Sequence, residues 1–247
     1  MVKNVNRFWK GMFKMNNLKK TVAAVLSLAL ATGGVSGAGN TRIVDAAYGT
    51  GKNIVEYLNR GISAVKTGSG MLVSWRYLAS DSDNAVFNLY RDGNLIYTSE
   101  AGKATCYLDK SGNASSKYRV DTVEGGSVVS SEDCYIQSGN DYFDIKLDVP
   151  KGNDCTYSPN DCSFGDVDGD GQYEIFVKWD PSNAKDNSQS GYTGNVYIDC
   201  YTLGGQKLWR IDLGKNIRAG AHYTQFLVAD FDCDGYAEMT CKTADGT

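Results

Sequence analysis

Two short runs of carboxylates in the second half of the sequence have the types and spacing of metal ligands. In the first run, aspartates alternate at positions one, three and five, a glycine follows at position six, and a glutamate stands at position nine. Alternate residues of a tight loop can direct their oxygens at one centre, and calcium takes about six to eight oxygen ligands in proteins. The backbone carbonyl of position seven can complete the set. The spacing therefore predicts a calcium loop with ligands from Asp166, Asp168, Asp170, Gln172 and Glu174.

The residues that follow this run distinguish it from a helical calcium motif. An EF-hand loop has its bidentate glutamate at position 12 and leads into a helix. Here the glutamate stands at position nine, and the apolar run "IFVKW" over residues 175–179 is typical of a buried strand. We therefore expect the loop to join two β-strands. The alternative is a solvated acidic turn that holds no ion.

The same spacing recurs 64 residues further along the chain, with predicted ligands Asp230, Asp232, Asp234, Tyr236 and Glu238. This repeat of strand, acidic loop and strand favours a β-propeller or another repeat architecture. Cys233 occupies position four of the second loop, where the first loop has Gly169. If that position requires a positive φ, the cysteine costs roughly 1 kcal/mol and weakens the second site. The polar segment 181–194 is an insertion in the repeat, and long loops on such scaffolds often carry function.

The first 46 residues have the composition of a secretory leader. A lysine-rich start precedes the short apolar run Val22–Ala31 and several small residues, and this run is too short for a comfortable membrane span. We therefore expect a secreted protein that has no membrane anchor after cleavage. The net charge of the chain is −4, and removal of the basic leader makes it more negative, which argues against a nucleic-acid partner.

The cysteine content permits disulfides but does not define them. The chain has seven cysteines, an odd number, and export to an oxidising compartment allows them to pair. The candidates nearest in sequence are Cys106 with Cys134 and Cys155 with Cys162, although spacing alone establishes neither pair. The sequence contains no C-x-x-C spacing, which argues against a zinc site.

Residues 47–140 are predicted to form a separate β-sandwich. Alternating apolar residues over 71–76, 86–91 and 117–123, with Asp92-Gly93 and Gly125-Gly126 as turns, indicate short antiparallel strands. Their spacing is similar to that of a fibronectin type III-like module. We expect Trp75 to lie in its core, with a sugar-stacking platform as the alternative. A further alternating strand is predicted over 142–149, where the chain enters the repeat region.

The repeat region resembles the rhamnogalacturonan lyases of polysaccharide lyase family 11. The motifs that carry the resemblance are "TYSPNDCSFGDVDGDGQYEIFVKWD", "LWRIDLGKNIRAGAHYTQFLVADFDCDG" and "CKTADGT", together with "EYLNRGISAVKTGSGMLVSWRYLASD" near the mature start. The resemblance extends from about Ile54 to Thr247. Cys162 and Cys233 depart from it, because alanine and glycine are expected at these positions.

The resemblance implies a fold and an activity. The family has an N-terminal β-sandwich followed by an eight-bladed β-propeller that binds several calcium ions, and it cleaves rhamnogalacturonan I of pectin by β-elimination. By this resemblance, residues 1–46 are a leader, 47–140 the sandwich and 141–247 the first part of a monomeric propeller. Two repeats cannot close a propeller, so the chain is expected to be an inactive N-terminal fragment. The catalytic base is then expected beyond Thr247, and the choice between endolytic and exolytic cleavage stays open.

Several polar residues near the repeats are candidates for contact with a sugar or a metal. On the propeller expected from the resemblance, Asn160 and Asp180 flank an inner strand and are predicted to bind substrate. Asp161 and His222 are predicted metal or cleft residues, and the alternative for each is a turn cap or a structural hydrogen bond. Lys178 and Lys242 follow the two loops on their outgoing strands, either as basic cleft residues or as solvated charges. Arg218, four residues before the single histidine, is expected near the cleft.

Other classes of function have less support in the sequence. A serine hydrolase of the G-x-S-x-G type is not supported, because that motif is absent from the sequence. A glycoside hydrolase needs two carboxylates at one glycosidic bond, whereas the acids here are accounted for by the predicted metal loops. The remaining alternative is a secreted, calcium-dependent carbohydrate-binding or adhesion propeller without catalysis.

Overall fold

The architecture is given by a computed structural model, which describes residues 56–220 and 223–245. The predicted leader over residues 1–46 and the single histidine, His222, lie outside the described residues. Every regular element in the described part of the chain is a β-strand, which confirms the predicted all-β class. These residues contain no helix long and apolar enough to cross a membrane.

The first eight strands form two four-stranded sheets. Their bounds are β1 Ser63–Thr67, β2 Gly70–Ser74, β3 Val86–Arg91, β4 Asn94–Thr98, β5 Cys106–Asp109, β6 Tyr118–Glu124, β7 Ser127–Asp133 and β8 Ile136–Ser138. One sheet has the order β5-β2-β1-β8 and the other has the order β4-β3-β6-β7. Neighbouring strands are antiparallel except β1 and β8, which are parallel.

Both sheets contribute alternate residues to one apolar core, as expected for strands with one buried face. Met71 and Val73 of β2 and Phe87 and Leu89 of β3 are almost completely buried in it. Trp75 is only 5% exposed, and its ring packs edge-on against Phe87 with centroids 5.9 Å apart. Trp75 is therefore a core residue and not a surface platform for a sugar ring.

The two predicted hairpin turns are confirmed. Between β3 and β4, Asp92 and Gly93 have φ values of 50° and 82°. Gly125 and Gly126 have φ values of 56° and 83° between β6 and β7. Two consecutive residues with positive φ match the right-handed twist of the flanking strands, which is why Asp-Gly and Gly-Gly are favoured in such turns.

The C-terminal region consists of an antiparallel meander and a separate hairpin. The meander contains β9 Tyr157–Gly165, β10 Glu174–Pro181, β11 Tyr197–Tyr201 and β12 Lys207–Asp212, in the order β12-β11-β10-β9. The hairpin contains β13 Phe226–Ala229 and β14 Glu238–Cys241. Gly165 pairs with Glu174 in the meander, and Ala229 pairs with Glu238 in the hairpin. The predicted repeat of strand, acidic loop and strand is thus present twice.

The meander is buried on both faces. On one face, Phe176, Ile198 and Cys200 belong to a cluster that also includes Phe226 of the hairpin, so the two repeats share a core. On the other face, Trp179 packs in a second cluster with Val177 and Tyr201. Burial on both faces explains why the run after the first acidic loop is almost continuously apolar.

The strand predicted over residues 142–149 is wrong, because no regular strand forms there. Ile145 and Leu147 do pack against the cluster around Trp179, so the alternating apolar residues mark the side of this segment that is partly buried. The backbone, however, is held by side chains: the N–H of Asp148 donates to the Tyr201 hydroxyl at 3.0 Å, and the Asp148 carbonyl accepts from Arg210. A ladder with a neighbouring strand is replaced by these isolated contacts.

Neither candidate disulfide forms, and all seven cysteines are free thiols. Cys106 lies on β5, at the edge of the sheet opposite β8, which Cys134 precedes. Three inter-strand spacings separate these edges, which amounts to roughly 14 Å. Cys155 and Cys162 are separated by most of the length of β9. Both separations exceed the ~7 Å limit between the Cα atoms of a disulfide.

A buried ion pair ties the loop after β2 to the N-terminal segment. Arg60 and Asp81 are each 4% exposed, and two guanidinium nitrogens donate to the two carboxylate oxygens at 2.5 and 2.6 Å. Asp81 also accepts a hydrogen bond from the N–H of Leu78 at 2.7 Å. The guanidinium lies 5.0 Å from the centre of the Phe87 ring, so the pair forms part of the edge of the core.

We expect Asp81→Asn to lower the free energy of unfolding by about 3–5 kcal/mol, because it leaves the buried Arg60 cation without its counter-charge. Urea unfolding followed by tryptophan fluorescence measures this loss. Lys207→Met is the control: it removes the exposed ion pair of Lys207 with Asp148 and should have a far smaller effect. Equal effects of the two substitutions would contradict a structural role for the buried pair.

Candidate functional site

The first acidic loop connects β9 and β10 and brings three of its four carboxylates together. Oxygens of Asp166, Asp168 and Glu174 lie within 4.8 Å of one another. Asp170 does not belong to this group, and its Oδ1 accepts a hydrogen bond from the backbone N–H of Gln172 at 2.7 Å. The predicted ligand set is therefore only partly assembled.

Backbone amides shape this loop around Asp166. Its Oδ1 accepts from the N–H of Gly169 at 2.7 Å, and its Oδ2 accepts from the N–H of Gly171 at 2.9 Å. Glu174 closes the loop by accepting from the N–H of Val167 at 2.9 Å. Gly169 and Gly171 have φ values of 76° and 86°, a region in which glycine carries no steric cost.

The second loop, between β13 and β14, repeats this geometry. Asp230 accepts from the N–H groups of Asp234 and Gly235 at 3.1 and 2.8 Å, and Glu238 accepts from the N–H of Phe231 at 2.8 Å. The carboxylates whose oxygens lie within 4.8 Å of one another are Asp230, Asp232, Asp234 and Glu238. All four acids predicted for this loop are thus brought together.

Cys233 has a φ of 60° at position four of the second loop, where Gly169 has 76° in the first. The expectation that this position needs a positive φ is confirmed, and the cysteine holds a strained backbone. The two loops also lie side by side. The N–H of Ala237 donates to the backbone carbonyl of Asp166 at 2.6 Å, so the second hairpin is bonded directly to the first loop.

Each loop combines buried and exposed carboxylates, and neither group includes a cation. Asp166 and Glu174 are 0% and 1% exposed. Burial raises the pKa of Glu174 to about 7, with smaller additions from the nearby aspartates, and it raises the pKa of Asp166 and of Glu238 as well. A raised pKa means that the charged form is disfavoured. Such a group of oxygens fits a hard divalent cation, which restores the charge balance.

The N-terminal domain holds the first loop, a contact that the sequence did not predict. The N–H of Asn59 and the Nη1 of Arg76 both donate to the carbonyl of Gly171 at 3.0 Å. The Arg76 guanidinium also lies 4.5 Å from the centre of the Tyr173 ring. No spacing rule connects residues so far apart in the chain, so only the tertiary structure identifies them as supports of the loop.

Position seven differs between the two loops. The side chain of Gln172 is buried, and its amide donates to the Asn59 side chain at 2.5 Å. Tyr236, its counterpart in the second loop, is 48% exposed. The ring of Tyr236 lies over position four of the first loop, where a Cβ added to Gly169 would come within 2.5 Å of it. That the backbone carbonyls of Gln172 and Tyr236 are ligands stays a prediction.

The candidate sugar-binding residues lie on β9 and β10, beside a buried lysine. Lys178 is only 2% exposed, forms an ion pair with Asp161, and donates to the carbonyl of Tyr223 at 3.3 Å. Of the two alternatives for Lys178, the solvated strand charge is therefore excluded. Lys242 is exposed just after β14, in agreement with the solvated alternative. Asn160, next to Asp161 on β9, is also exposed.

Asp180 lies on the neighbouring strand and is electrostatically linked to this pair. Burial raises its pKa, the positive charge of Lys178 lowers it, and the negative charge of Asp161 raises it. The structure therefore groups Asp161, Lys178 and Asp180, with Asn160 beside them. A half-exposed carboxylate next to an exposed amide can accept and donate hydrogen bonds to sugar hydroxyls.

Arg218, which was expected near the cleft, supports the insertion between β10 and β11. Its guanidinium donates to the carbonyls of Lys185 at 3.1 Å, Gly191 at 2.9 Å and Asp186 at 2.9 Å. A further bond from Arg218 reaches the carbonyl of Gln189. These contacts satisfy the backbone of a loop that has no strand partner of its own.

Comparison with known families places both parts of the chain in one group of enzymes. Residues 53–134 match the domain described as "Rhamnogalacturonan I lyases beta-sheet domain". Residues 142–247 match "Rhamnogalacturonan lyase family 11, C-terminal domain". Together these matches cover most of the sequence, and the chain belongs to rhamnogalacturonan lyase family 11.

Two relatives from Bacillus subtilis (strain 168) are similar over nearly four fifths of this chain. Rhamnogalacturonan endolyase YesW is 54% identical over 199 residues, which cover 78% of this chain and 32% of the relative. Rhamnogalacturonan exolyase YesX is 49% identical over 206 residues, or 79% and 33% of the two chains. The crystal structure of YesW superposes with a TM-score of 0.71 over 77% of this chain and 34% of that one. The chain thus spans about a third of the length of these relatives.

We expect Cys233→Gly to raise the free energy of unfolding by about 0.5–1 kcal/mol, because glycine removes the steric cost of the positive φ. The gain is partly offset because glycine loses more backbone entropy than cysteine on folding. Urea unfolding under reducing conditions at fixed calcium concentration measures the change. Gly169→Ala is the matched control in the first loop. It should destabilise the protein, since its new Cβ would meet the Tyr236 ring at 2.5 Å. No gain from Cys233→Gly would contradict strain at position four.

Proposed function

We propose that this chain acts in a rhamnogalacturonan lyase, which cleaves the rhamnose–galacturonate bonds of rhamnogalacturonan I in pectin by β-elimination. The observation that carries the proposal is the 54% identity to an endolyase over most of the described chain. An exolyase is nearly as similar, at 49%. The proposal therefore concerns the bond that is cleaved and not the endolytic or exolytic mode of attack.

We further propose that β9–β12 form one blade of a calcium-binding β-propeller and that β13 and β14 begin the next blade. A four-stranded antiparallel meander is the unit from which propellers are built. The shared core around Phe176 and Phe226 is the contact expected between adjacent blades. The two N-terminal sheets correspond to the fibronectin type III-like sandwich of the proposal, and the leader supports secretion. We propose a monomer as the acting form.

Calcium is the proposed occupant of both acidic loops. The first would use Asp166, Asp168 and Glu174, with Asp170 available after rotation from its backbone contact, and the second would use its own four acids. Bound calcium would neutralise these buried carboxylates. Six residue steps along β10 separate Glu174 from Asp180, which corresponds to roughly 20 Å. The loops therefore support the blade and do not contact a sugar held at Asp180.

The reaction needs a base and a site that favours negative charge on the uronate. The base takes the proton from C5, the electron pair forms the C4–C5 double bond, and the C4–O bond breaks so that the leaving oxygen takes up a proton. Positive charge beside the carboxylate stabilises the carbanion-like transition state. Within the described residues we assign substrate contacts and no base: Asn160 and Asp180 would hold sugar hydroxyls, and Lys178 would position Asp161 beside them.

We expect calcium to raise the melting temperature of the protein by several degrees, and magnesium to do so less, because magnesium requires a near-ideal octahedron and gives up its water ligands reluctantly. Asp166→Asn should remove the part of the calcium-dependent shift that comes from the first loop, since it removes the carboxylate at the centre of that loop, and should leave the part that comes from the second loop. Asp144→Asn, an exposed acid outside the loops, is the control. Equal melting temperatures in a chelator and in excess calcium would contradict the proposed metal sites.

We expect the longest natural chain that contains this sequence to form unsaturated uronate from rhamnogalacturonan I. The product is followed by its ultraviolet absorbance, with and without a calcium chelator. Asp180→Asn should lower kcat/KM roughly tenfold, as expected for a lost hydrogen bond to a charged group, whereas Asp144→Asn should not. Binding of the polymer without any rise in absorbance would instead support the non-catalytic carbohydrate-binding alternative.

A further inference from the structure

A groove next to Asp180 has no part in the contacts described above. It has a volume of about 400 Å³, within the ~300–1,000 Å³ range of small-molecule sites. Its sides are the segment before β9 and the insertion between β10 and β11, and its floor includes the start of β11. The residues on which the argument depends are Lys151, Tyr157, Asn183, Tyr192 and Tyr197.

The floor of the groove is fixed by packing. The ring of Tyr157 meets that of Tyr197 edge-on, with centroids 5.2 Å apart, and its hydroxyl donates to the carbonyl of Asn195 at 2.9 Å. Gly194 fits so closely that an added Cβ would come within 2.7 Å of Pro181. Pro181 directly follows Asp180 and pairs with Tyr157. Because successive side chains of a strand point to opposite faces, the groove lies at the same end of β10 as Asp180 but on the opposite face of the sheet.

The insertion that forms the other side is held in place. Its backbone carbonyls are bonded by Arg218, and the side-chain oxygen of Asn183 accepts from the N–H of Gly194 at 2.7 Å. Ser182 and Thr156 connect the two sides, because the N–H of Ser182 donates to the Thr156 carbonyl at 2.8 Å and the Ser182 hydroxyl accepts from the N–H of Thr156 at 3.1 Å. The groove is therefore formed before any ligand arrives.

Tyr192 is presented to solvent from this ordered loop. Its side chain is 86% exposed, more than any other large hydrophobic residue in the described part of the chain. An exposed aromatic ring supplies a flat apolar surface for the C–H face of a sugar ring. The amide of Asn183 and the ammonium group of Lys151 lie on the same groove and can bond hydroxyl or carboxylate oxygens.

We propose that this groove binds a pyranose ring of the pectic polymer outside the bond that is cleaved, with Tyr192 as the stacking surface. The inference rests on the proposed function, because it is that function that supplies a pectic ligand. The pyranose has two sources: a rhamnose or galacturonate of the acidic backbone, or a hexose of a neutral side chain. The groove and Asp180 lie at the same end of β10, so a long polymer that reaches Asp180 passes close to the edge of the sheet on which the groove opens.

The test uses the longest natural chain that contains this sequence, with isothermal titration of two probes. One probe is a rhamnogalacturonan backbone oligosaccharide of alternating rhamnose and galacturonate, and the other is a neutral galactan oligosaccharide. Tyr192→Ala should weaken binding of at least one probe by roughly five- to tenfold, the value of a lost aromatic contact. Tyr192→Phe keeps the ring and should bind within about twofold of the wild type.

Tyr142→Ala is the matched control, because Tyr142 is an exposed tyrosine (53%) that does not line the groove. A loss confined to the backbone probe assigns the groove to the main chain of the polymer, and a loss confined to galactan assigns it to a side chain. Unchanged binding of both probes by Tyr192→Ala overturns the inference. If the wild type forms no unsaturated product but Tyr192→Ala still weakens binding, only the lyase proposal is refuted. Titration measures binding and does not depend on bond cleavage.

Discussion

The concentration of negative charge at two hairpin turns, part of it buried, is the constraint on which the C-terminal region depends. Several carboxylates converge in each turn, and burial disfavours the charged forms of Asp166, Glu174 and Glu238. Backbone N–H groups relieve part of this cost by bonding to Asp166 and Asp230. A bound cation would offset the negative charge that these hydrogen bonds leave uncompensated. Because each turn joins two strands of the repeat, the stability of the sheet is tied to the charge balance of its loops.

Spacing predicted the local part of this arrangement well. Alternating aspartates, a glycine at position six and a glutamate at position nine were enough to place seven carboxylates of the two loops together, and the positive φ at Cys233 followed from the same comparison. Asp170 was the exception, although its counterpart Asp234 accepts the same kind of backbone bond and still belongs to its group. Spacing therefore describes which acids a loop can bring together, whereas the detailed backbone of each turn decides how many converge.

Contacts between distant residues could not be predicted in this way. Arg76 reaches the first loop from the N-terminal domain, and Arg218, which follows β12 in the chain, supports the insertion. No local pattern in the sequence marks these contacts. The partner of Lys178 was missed for a related reason: the apolar run of β10 does not reveal that Asp161 of β9 faces it, because the strand register shifts between Val177 and Trp179. The buried cation and the irregular pairing occur at the same place.

The two ends of β10 carry different candidate sites. Glu174 stands at the end of the first acidic loop, where the strand begins, whereas Asp180 and the groove lie at the other end of the strand. A strand buried on both faces is a stiff spacer, and Trp179 adds rigidity by donating to the buried carboxylate of Asp199 at 2.8 Å. The first acidic loop therefore leads directly into β10, and the path of β10 determines where Asp180 lies. Under the proposed function, calcium in these loops supports substrate binding through the position of β10 and not through contact with the sugar.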